Sequence, residues 1–319
     1  MSDNKQIGYL RTMIRIRAFE ETVHAMYQKS ELFGMSPHLS CGMEAIAVGA
    51  CDCLRKDDYI VSTHRGHGHC IAKGADMRRM LAELCGKATG FCKGKGGTMH
   101  IADVELGILG ANGIVGGGIP IAVGAGLSIS IRGTDQVSVC FFGDAASNQG
   151  TFHEAVNFAT IFKLPVIFVC ENNLYGLSTP YSYSGATPHV ADRAKGYGIP
   201  GKSVNGMVVE EVRAAMAEAV KRARNGEGPS IIEGKTYRYY GHSASDNRRY
   251  RTREEEEHVK STSDPIMLLT KELVAKKLLT EKDVEKMQVE ADAEAADAKQ
   301  FTLNSPEPNV NTVMEDIFA

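Results

Sequence analysis

The sequence predicts an α/β fold with a doubly wound, mostly parallel sheet that carries helices on both faces. Two short apolar runs, Val137–Phe142 and Val166–Cys170, are rich in Val, Ile and Phe, which is typical of strands buried in a parallel sheet. A polar turn and a helical stretch, Thr151–Phe162, lie between them. This order indicates a right-handed crossover unit, so both strands end at the same edge of the sheet.

Further segments extend this unit on both sides. Residues 119–131 read as a buried helix with Pro120 near its first turn. The small residues at 124–126 would let another backbone approach closely, which often means a second subunit. The remaining expected elements are an amphipathic helix over 7–33, helices over 42–54, 77–85 and 208–224, and a strand over 230–233.

Beyond Glu254 the chain becomes charged and helical. Thr280 is a typical N-cap with acidic residues in the following turn. We expect residues 280–302 to form a solvated helix. The predicted organisation is one large domain over 1–260, including the N-terminal helical segment, and a helical C-terminal extension over 261–319.

Asp144 and Asn173 come directly after the two apolar runs, so they are expected to meet where open α/β sheets bind ligands. A carboxylate, an amide oxygen and a nearby backbone carbonyl form a hard oxygen set that suits Mg²⁺. The helix that starts near Gly150 adds amide donors for phosphate. The sequence therefore predicts a magnesium–diphosphate site, although Asp144 taken alone could be a turn or capping aspartate.

Bulk composition excludes several function classes. The net charge of −3 leaves no electrostatic footprint for nucleic acid or an anionic membrane. No apolar run approaches the roughly 20 residues that span a bilayer, and the start of the chain lacks a secretory signal. The eight cysteines form no C-x-x-C pair. A reducing, cytoplasmic location is expected.

Five ordered motifs carry a resemblance to a known family. The chain resembles the α subunits of heteromeric 2-oxo-acid dehydrogenase E1 components, which have a thiamine-diphosphate-binding fold. Within that family it looks most like the acetoin dehydrogenase branch, with pyruvate dehydrogenase α subunits next. Besides the Gly143–Ala145 turn and Asn172–Asn173, the carrying stretches are His64–His69, Gly94–His100, Gly110–Gly116, Thr236–Ser243 and Tyr250–Glu254.

The resemblance implies a cofactor site for thiamine diphosphate and Mg²⁺. It assigns the metal to Asp144, the Asn173 side chain and the Tyr175 backbone carbonyl, and it places Ala145 and Ala146 beside the diphosphate. Ala145 stands where the family usually has glycine. A positive φ there would cost about 1 kcal/mol or more.

Other implied contacts come from two turns. The backbone of the Gly113–Val115 turn, including Ile114, is expected to contact the aminopyrimidine. Arg65 is expected to bind the diphosphate, because a guanidinium suits bidentate phosphate binding. His64 replaces a tyrosine that holds the cofactor in relatives.

Two histidines are candidates for a catalytic role. His38 aligns with a family histidine that faces the substrate, and His242 aligns with one that reaches the cofactor phosphates. A structural role is the alternative for each, and His100 stays open between the two. A transition-metal cluster of the histidines at 64, 67 and 69 is disfavoured, because this loop spacing offers no acidic or cysteine partner. Residues 243–253 are taken as a solvated loop by default.

The implied reaction is cleavage of acetoin, followed by transfer of the two-carbon acyl unit to lipoamide on a separate E2 acyltransferase. Oxidative decarboxylation of pyruvate or another 2-oxo acid is the alternative. The diphosphate module is present without a pyrimidine module, which the resemblance assigns to a separate β subunit that supplies an essential glutamate. The expected assembly is an α2β2 heterotetramer whose isolated α chain is inactive.

The sequence leaves two other function classes as alternatives. A nicotinamide-dependent oxidoreductase is disfavoured, because no G-x-G-x-x-G follows a strand with an acid about 20 residues later. A non-catalytic binding homologue is conceivable from Ala145 and His64. The intact Asp144, Asn173, Arg65 and His242 argue against it.

Overall fold

The structure is a computed structural model that describes residues 3–32 and 36–316. Its strands are β1 (Tyr59–Thr63), β2 (Ile108–Asn112), β3 (Ser138–Gly143), β4 (Val166–Asn172), β5 (Tyr175–Gly176), β6 (Thr179–Pro180), β7 (Gly201–Asn205) and β8 (Ser230–Lys235). Its helices are α1 (Asp3–Gln28), α2 (Glu44–Cys51), α3 (His67–Lys73), α4 (Met77–Leu84), α5 (Gly118–Arg132), α6 (Gly150–Ile161), α7 (Tyr181–Ser184), α8 (Val209–Arg224), α9 (Arg253–Ser263), α10 (Pro265–Ala275) and α11 (Glu281–Asn304).

The main sheet confirms the predicted α/β class. In the described part of the chain it has six strands in the order β2–β1–β3–β4–β8–β7, and every neighbouring pair is parallel. The register pairs Gly143 at the end of β3 with Glu171 near the end of β4. The chain therefore leaves both strands at one edge, where Asp144 and Asn173 follow.

Alternate side chains of the central strands enter two separate cores, as the two-residue period of a strand requires. Val139 and Phe141 of β3 pack with α1, α2, α4 and α8 on one face. Cys140 and Phe142 pack with α5 and α6 on the other. Because both faces are covered, β3 and β4 are apolar over most of their length, as expected for a parallel sheet.

The C-terminal helix corrects one expectation. The structure confirms Thr280 as the N-cap of α11, where its side chain and that of Asp283 form a capping box. However, α11 is not simply a solvated helix, because a stripe of small residues, including Ala291, Ala295 and Ala298, is buried in the core shared with α1 and α4. Alanine at this spacing lets the helix approach closely. The predicted boundary near residue 260 stays a prediction.

Helix α5 was expected to be buried, and this is only half correct. Ile119, Ala122 and Val123 are buried, whereas Ile121 and Ile131 are 48% and 77% exposed. The N-terminal helix ends at Gln28 rather than at 33, and residue 33 itself lies outside the described residues. Over 3–32 and 36–316, no helix combines the length and apolarity that crossing a bilayer requires.

Candidate functional site

A cavity of about 330 Å³ opens at the carboxyl ends of the central strands. Its size is typical of small-molecule sites. Gly113 and His38 are not among the residues that line the cavity. Gly113 precedes the lining residue Ile114, and the ring of His38 packs against those of His64 and His242. The other predicted site residues all line the cavity, namely His64, Arg65, Ile114, Val115, Asp144, Ala145, Ala146, Asn173, Tyr175 and His242.

Asp144 is the buried acid of this cavity. It is 1% exposed and begins the short helical turn that follows β3. Its Oδ2 has no hydrogen-bond partner within the described residues. Burial raises the pKa of Asp144 to about 6, against the opposing effect of nearby backbone amides and Arg238. A buried oxygen without a donor is costly unless a ligand or cation completes it.

The other two oxygens predicted to bind a metal face a cation in the structure. Arg238 Nη1 donates to Asn173 Oδ1 at 3.2 Å and to the Tyr175 carbonyl at 2.6 Å. Asn173 and Tyr175 therefore direct their oxygens to one point, and the guanidinium is a stand-in positive charge there. A carboxylate, an amide oxygen and a carbonyl suit Mg²⁺, so the donor set fits the predicted ion.

Arg238 is the main site residue that sequence reasoning missed. It is 1% exposed although it carries a guanidinium, and it is among the largest buried side chains. Its Nη2 donates to the Leu177 carbonyl and to the Tyr250 hydroxyl, so it joins the turn after β4 to the 243–253 segment. The available signal was a charged residue shortly after the buried strand β8, in a motif from which only His242 had been assigned.

Arg65 is buried and already holds two carbonyls. Nη1 donates to the Leu39 carbonyl at 3.0 Å, and Nη2 donates to the His242 carbonyl at 2.6 Å. Burial, together with the neighbouring Arg238, lowers the pKa of Arg65 to about 9. The side chain therefore remains mainly cationic at neutral pH. Its predicted contact with a diphosphate stays a prediction.

Three histidine rings meet at one side of the cavity. The ring centroids of His38 lie 4.9 Å from those of both His64 and His242, and the latter two are 5.5 Å apart. Burial and the charge of Arg65 lower the pKa of His38 to about 3, that of His64 to about 2 and that of His242 to about 4. We call these three residues the histidine cluster. It presents neutral imidazoles at pH 7.

The departure at Ala145 causes no backbone strain. Ala145 lies in the helical turn Asp144–Asn148 and is not among the residues with positive φ. A Cβ built on Gly176 would approach the Ala145 methyl to 2.6 Å, so glycine is needed at 176 instead. The penalty considered for a positive φ at Ala145 does not arise.

The other two histidines of the His64 loop have structural partners. His67 Nδ1 lies 2.9 Å from Glu20 Oε2, and its Nε2 lies 2.9 Å from Thr98 Oγ1. His69 bridges Ser62 and Glu171 in the floor of the cavity. Among the described residues no group of histidine, cysteine and acidic side chains could hold a transition metal.

Comparison with known proteins agrees with this architecture. Residues 11–311 match the family described as the dehydrogenase E1 component. The chain belongs to this family. It is thus a subunit of an oxidoreductase, and its parallel sheet is consistent with the α/β fold of this family.

Individual relatives align over nearly the whole chain. The α subunit of acetoin:2,6-dichlorophenolindophenol oxidoreductase from Bacillus subtilis (strain 168) is 47% identical over 100% of this chain and 95% of its own length. The protein of the same name from Cupriavidus necator is 42% identical, covering 97% and 92%. The pyruvate dehydrogenase E1 component α subunit of Rhizobium meliloti (strain 1021) is 40% identical, covering 96% and 88%.

Proposed function

We propose that this chain is the α subunit of a thiamine-diphosphate-dependent E1 enzyme that cleaves acetoin. Membership in the dehydrogenase E1 component family implies thiamine diphosphate as the cofactor. The observation that carries the proposal is that the Asn173 and Tyr175 oxygens meet at the buried Arg238 guanidinium, and that the unpartnered Asp144 carboxylate lines the same cavity. Full-length similarity to two acetoin oxidoreductase α subunits supports the substrate.

Mg²⁺ is the proposed metal, held by Asp144, the Asn173 side chain and the Tyr175 carbonyl. The unpartnered Asp144 Oδ2 supplies the negative charge that the ion needs. The neutral oxygens of Asn173 and Tyr175 would be two further ligands. Mg²⁺ characteristically takes its remaining ligands from phosphate and water.

The proposed cofactor contacts come from residues that line the same cavity. Arg65, with His64 beside it, would hold the diphosphate, and Ala145 and Ala146 offer a small surface next to it. The turn at 113–115 would contact the pyrimidine. When bound, thiamine diphosphate supplies the nucleophilic carbon and the electron sink for the reaction. The chain itself orients the cofactor and excludes water.

The histidine cluster supports an uncharged substrate. The pKa values of His38, His64 and His242 are all lowered, so these rings offer hydrogen bonds at neutral pH without a positive charge. A hydroxyketone such as acetoin needs donors and acceptors for its two oxygens, whereas a 2-oxo acid also brings a carboxylate. We propose His38 and His242 as the catalytic histidines.

Pyruvate is the second candidate substrate. The α subunits of pyruvate dehydrogenase E1 components match with only slightly lower identity, and they cover most of this chain. Arg65 stays cationic near pH 7 and is the group that would attract a carboxylate.

A partner subunit is proposed to complete the site. Ile114, Val115 and Leu177 are 72%, 47% and 58% exposed at the cavity. Ile131 of α5 and Ile161 of α6 add further exposed apolar surface. Exposed apolar groups beside a ligand cavity are typical of an interface. We propose a β subunit in an α2β2 heterotetramer that supplies the glutamate for the pyrimidine, and a lipoyl acyltransferase E2 as acceptor.

We infer a cytoplasmic location from the thiols. All eight cysteines are free, and six of them are buried. Unpaired thiols in this number are typical of a reducing compartment.

The test is reconstitution of the chain with its β partner. Titration calorimetry with thiamine diphosphate, with and without Mg²⁺, should show binding that requires the metal. Turnover of acetoin, pyruvate and branched 2-oxo acids, followed by reduction of dichlorophenolindophenol, should favour acetoin. Preference for pyruvate would establish the second candidate, and metal-independent binding or no binding would refute the cofactor site.

A further inference from the structure

A buried carboxylate lies at the centre of the glycine loop, by which we mean residues 90–97 after α4. Glu83 is 0% exposed although its side chain is a carboxylic acid. The sequence motif that begins at Gly94 contributed to the family resemblance, but no function had been assigned to the loop. Glu83 does not line the cofactor cavity. Its contacts show what the loop is for.

The loop wraps its backbone amides around this one acid. Glu83 Oε2 accepts hydrogen bonds from the amides of Cys92 and Gly94 at 2.8 and 2.9 Å. Oε1 accepts from those of Gly96 and Gly97 at 2.7 and 3.1 Å. Hydrogen bonds to an ionised acceptor are stronger than neutral ones, and four of them satisfy a carboxylate that burial would otherwise destabilise.

The glycines are needed for this close approach. A Cβ on Gly90 would come within 2.2 Å of the Glu83 side chain and 2.6 Å of its Cα. Gly94 has a φ of +79°, which favours glycine, and a Cβ there would contact the backbone of Gly86 at 2.5 Å. The loop conformation is therefore determined by the acid at its centre and by backbone that no side chain obstructs.

One histidine connects the loop to the cofactor turn. The Gly96 carbonyl lies 3.3 Å from His100 Nδ1, and the Gly113 amide donates to His100 Nε2 at 3.4 Å. A carbonyl requires a proton on Nδ1, and an amide donor requires a lone pair on Nε2. Together the two partners select one neutral tautomer of His100.

Side chains that follow the loop also pack directly on the turn. A Cβ on Gly113 would meet His100 Nε2 at 3.3 Å and Met99 Cε at 3.6 Å. The following residues, Ile114 and Val115, line the cavity. The position of Gly113 is thus defined from behind by Met99 and His100, and these two are defined by the loop around Glu83.

We propose that Glu83 and His100 are positioning residues for the pyrimidine half of the cofactor. Glu83 shapes the glycine loop, the loop orients His100, and His100 fixes the amide of Gly113. The Asp144 side of the cavity, which would hold the diphosphate, makes no use of this relay. This inference rests on the proposed function, because it assigns the 113–115 turn to the pyrimidine.

The test compares two ligands on the assembled α and β subunits by titration calorimetry with Mg²⁺. Thiamine diphosphate reports on both halves of the site, whereas inorganic diphosphate reports only on the metal and phosphate half. Glu83→Gln leaves one oxygen for four amide donors. It should weaken thiamine diphosphate binding about tenfold and leave diphosphate binding unchanged. Glu105→Gln, an exposed acid nearby, is the matched control.

A second pair of variants covers the case in which Glu83→Gln fails to fold. His100 is exposed in the chain alone, so its replacement should leave the core intact. His100→Phe removes both hydrogen bonds and should reproduce the ligand-selective loss. His100→Gln keeps an oxygen acceptor near the Nε2 position and should restore most of the affinity.

The outcomes separate this inference from the proposed function. If the wild-type assembly binds no thiamine diphosphate, the proposed function fails. If it binds, and His100→Phe changes neither ligand or weakens both equally, the positioning relay is refuted.

Discussion

Two buried acids, Glu20 of α1 and Asp144 after β3, differ in how the chain satisfies their charge. Glu20 of α1 is 0% exposed, and its carboxylate accepts from the Ser40 amide and hydroxyl and contacts His67. Asp144 is 1% exposed, but its Oδ2 has no partner in the described residues. The two acids are equally buried, so the difference lies in their partners.

The pKa directions follow from these partners. Burial acts to raise the pKa of both carboxyl groups, but the adjacent His67 and the donors of Ser40 lower that of Glu20 overall. At Asp144 burial prevails and the pKa is raised to about 6. A structural acid is completed by the chain itself. An acid that is left incomplete at a strand end is stabilised by what it binds.

The largest expected effect is at Asp144. Asp144→Asn removes the charge that the metal needs and keeps the shape. Metal-dependent binding of thiamine diphosphate should fall by a factor on the order of 100 or more. The unfolding free energy without cofactor should not fall, because a poorly satisfied charge is removed. Calorimetry and urea unfolding measure both quantities, with Asp292→Asn on exposed α11 surface as the control.

If Asp144→Asn bound the cofactor like the wild type, the two acids would not differ in function. A loss of stability as large as that expected for a structural acid would also contradict the comparison.

The second effect is the converse one at Glu20. Glu20→Gln leaves His67 and Ser40 without their charged partner, and breaking a buried pair costs about 3–5 kcal/mol. Urea unfolding of the cofactor-free protein should show this loss. Glu21→Gln, the exposed neighbour on α1, should cost about 1 kcal/mol or less. Equal losses of unfolding free energy in the two variants would mean that the buried contacts of Glu20 stabilise the fold no more than an exposed acid does.

A smaller effect is expected at Arg238, which holds two of the proposed metal ligands. Arg238→Lys keeps the charge, but a single ammonium cannot hold Asn173, Tyr175 and Leu177 together as the guanidinium does. Metal affinity, followed by the spin-resonance signal of Mn²⁺, should weaken about tenfold. Arg249→Lys on the exposed surface is the control. Tighter metal binding in Arg238→Lys would show that the guanidinium competes with the ion instead of positioning its ligands.

The smallest effect extends the comparison to pH. The histidine cluster has folded pKa values of about 3, 2 and 4, below the ordinary value of 6.5. A histidine with a lowered folded pKa takes up its proton more readily in the unfolded state. Its contribution to stability is therefore fully present above pH 6.5 and is lost as the pH falls towards the folded pKa. The urea midpoint should therefore decrease between pH 7 and pH 5.

The His64→Phe variant should show a smaller decrease over the same interval, because one of the three titrating rings is gone. His258→Phe, an exposed histidine on α9, should keep the wild-type slope. Identical slopes for His64→Phe and the wild type would show that the cluster does not resist protonation.

Local patterns were sufficient to predict many of the elements and the placement of Asp144 and Asn173 at one edge of the sheet. The apolar runs before Asp144 and Asn173 identified β3 and β4, and parallel pairing then required their ends to meet. The helix starting at Gly150 and the N-cap at Thr280 were also found from local signals. The errors concern which face of a helix is covered, since an alanine-rich stripe on α11 has no local signature of burial.

The sequence by itself determined the fold class, the strand ends that Asp144 and Asn173 follow, and the family. Tertiary structure alone decided that Arg238 faces Asn173 and Tyr175, that three histidines from distant segments form one cluster, and that Glu83 is enclosed by the glycine loop. The physical reason is range. Strand and helix signals arise from neighbours along the chain, whereas the partner of a buried charge is chosen by the packing of elements far apart in sequence.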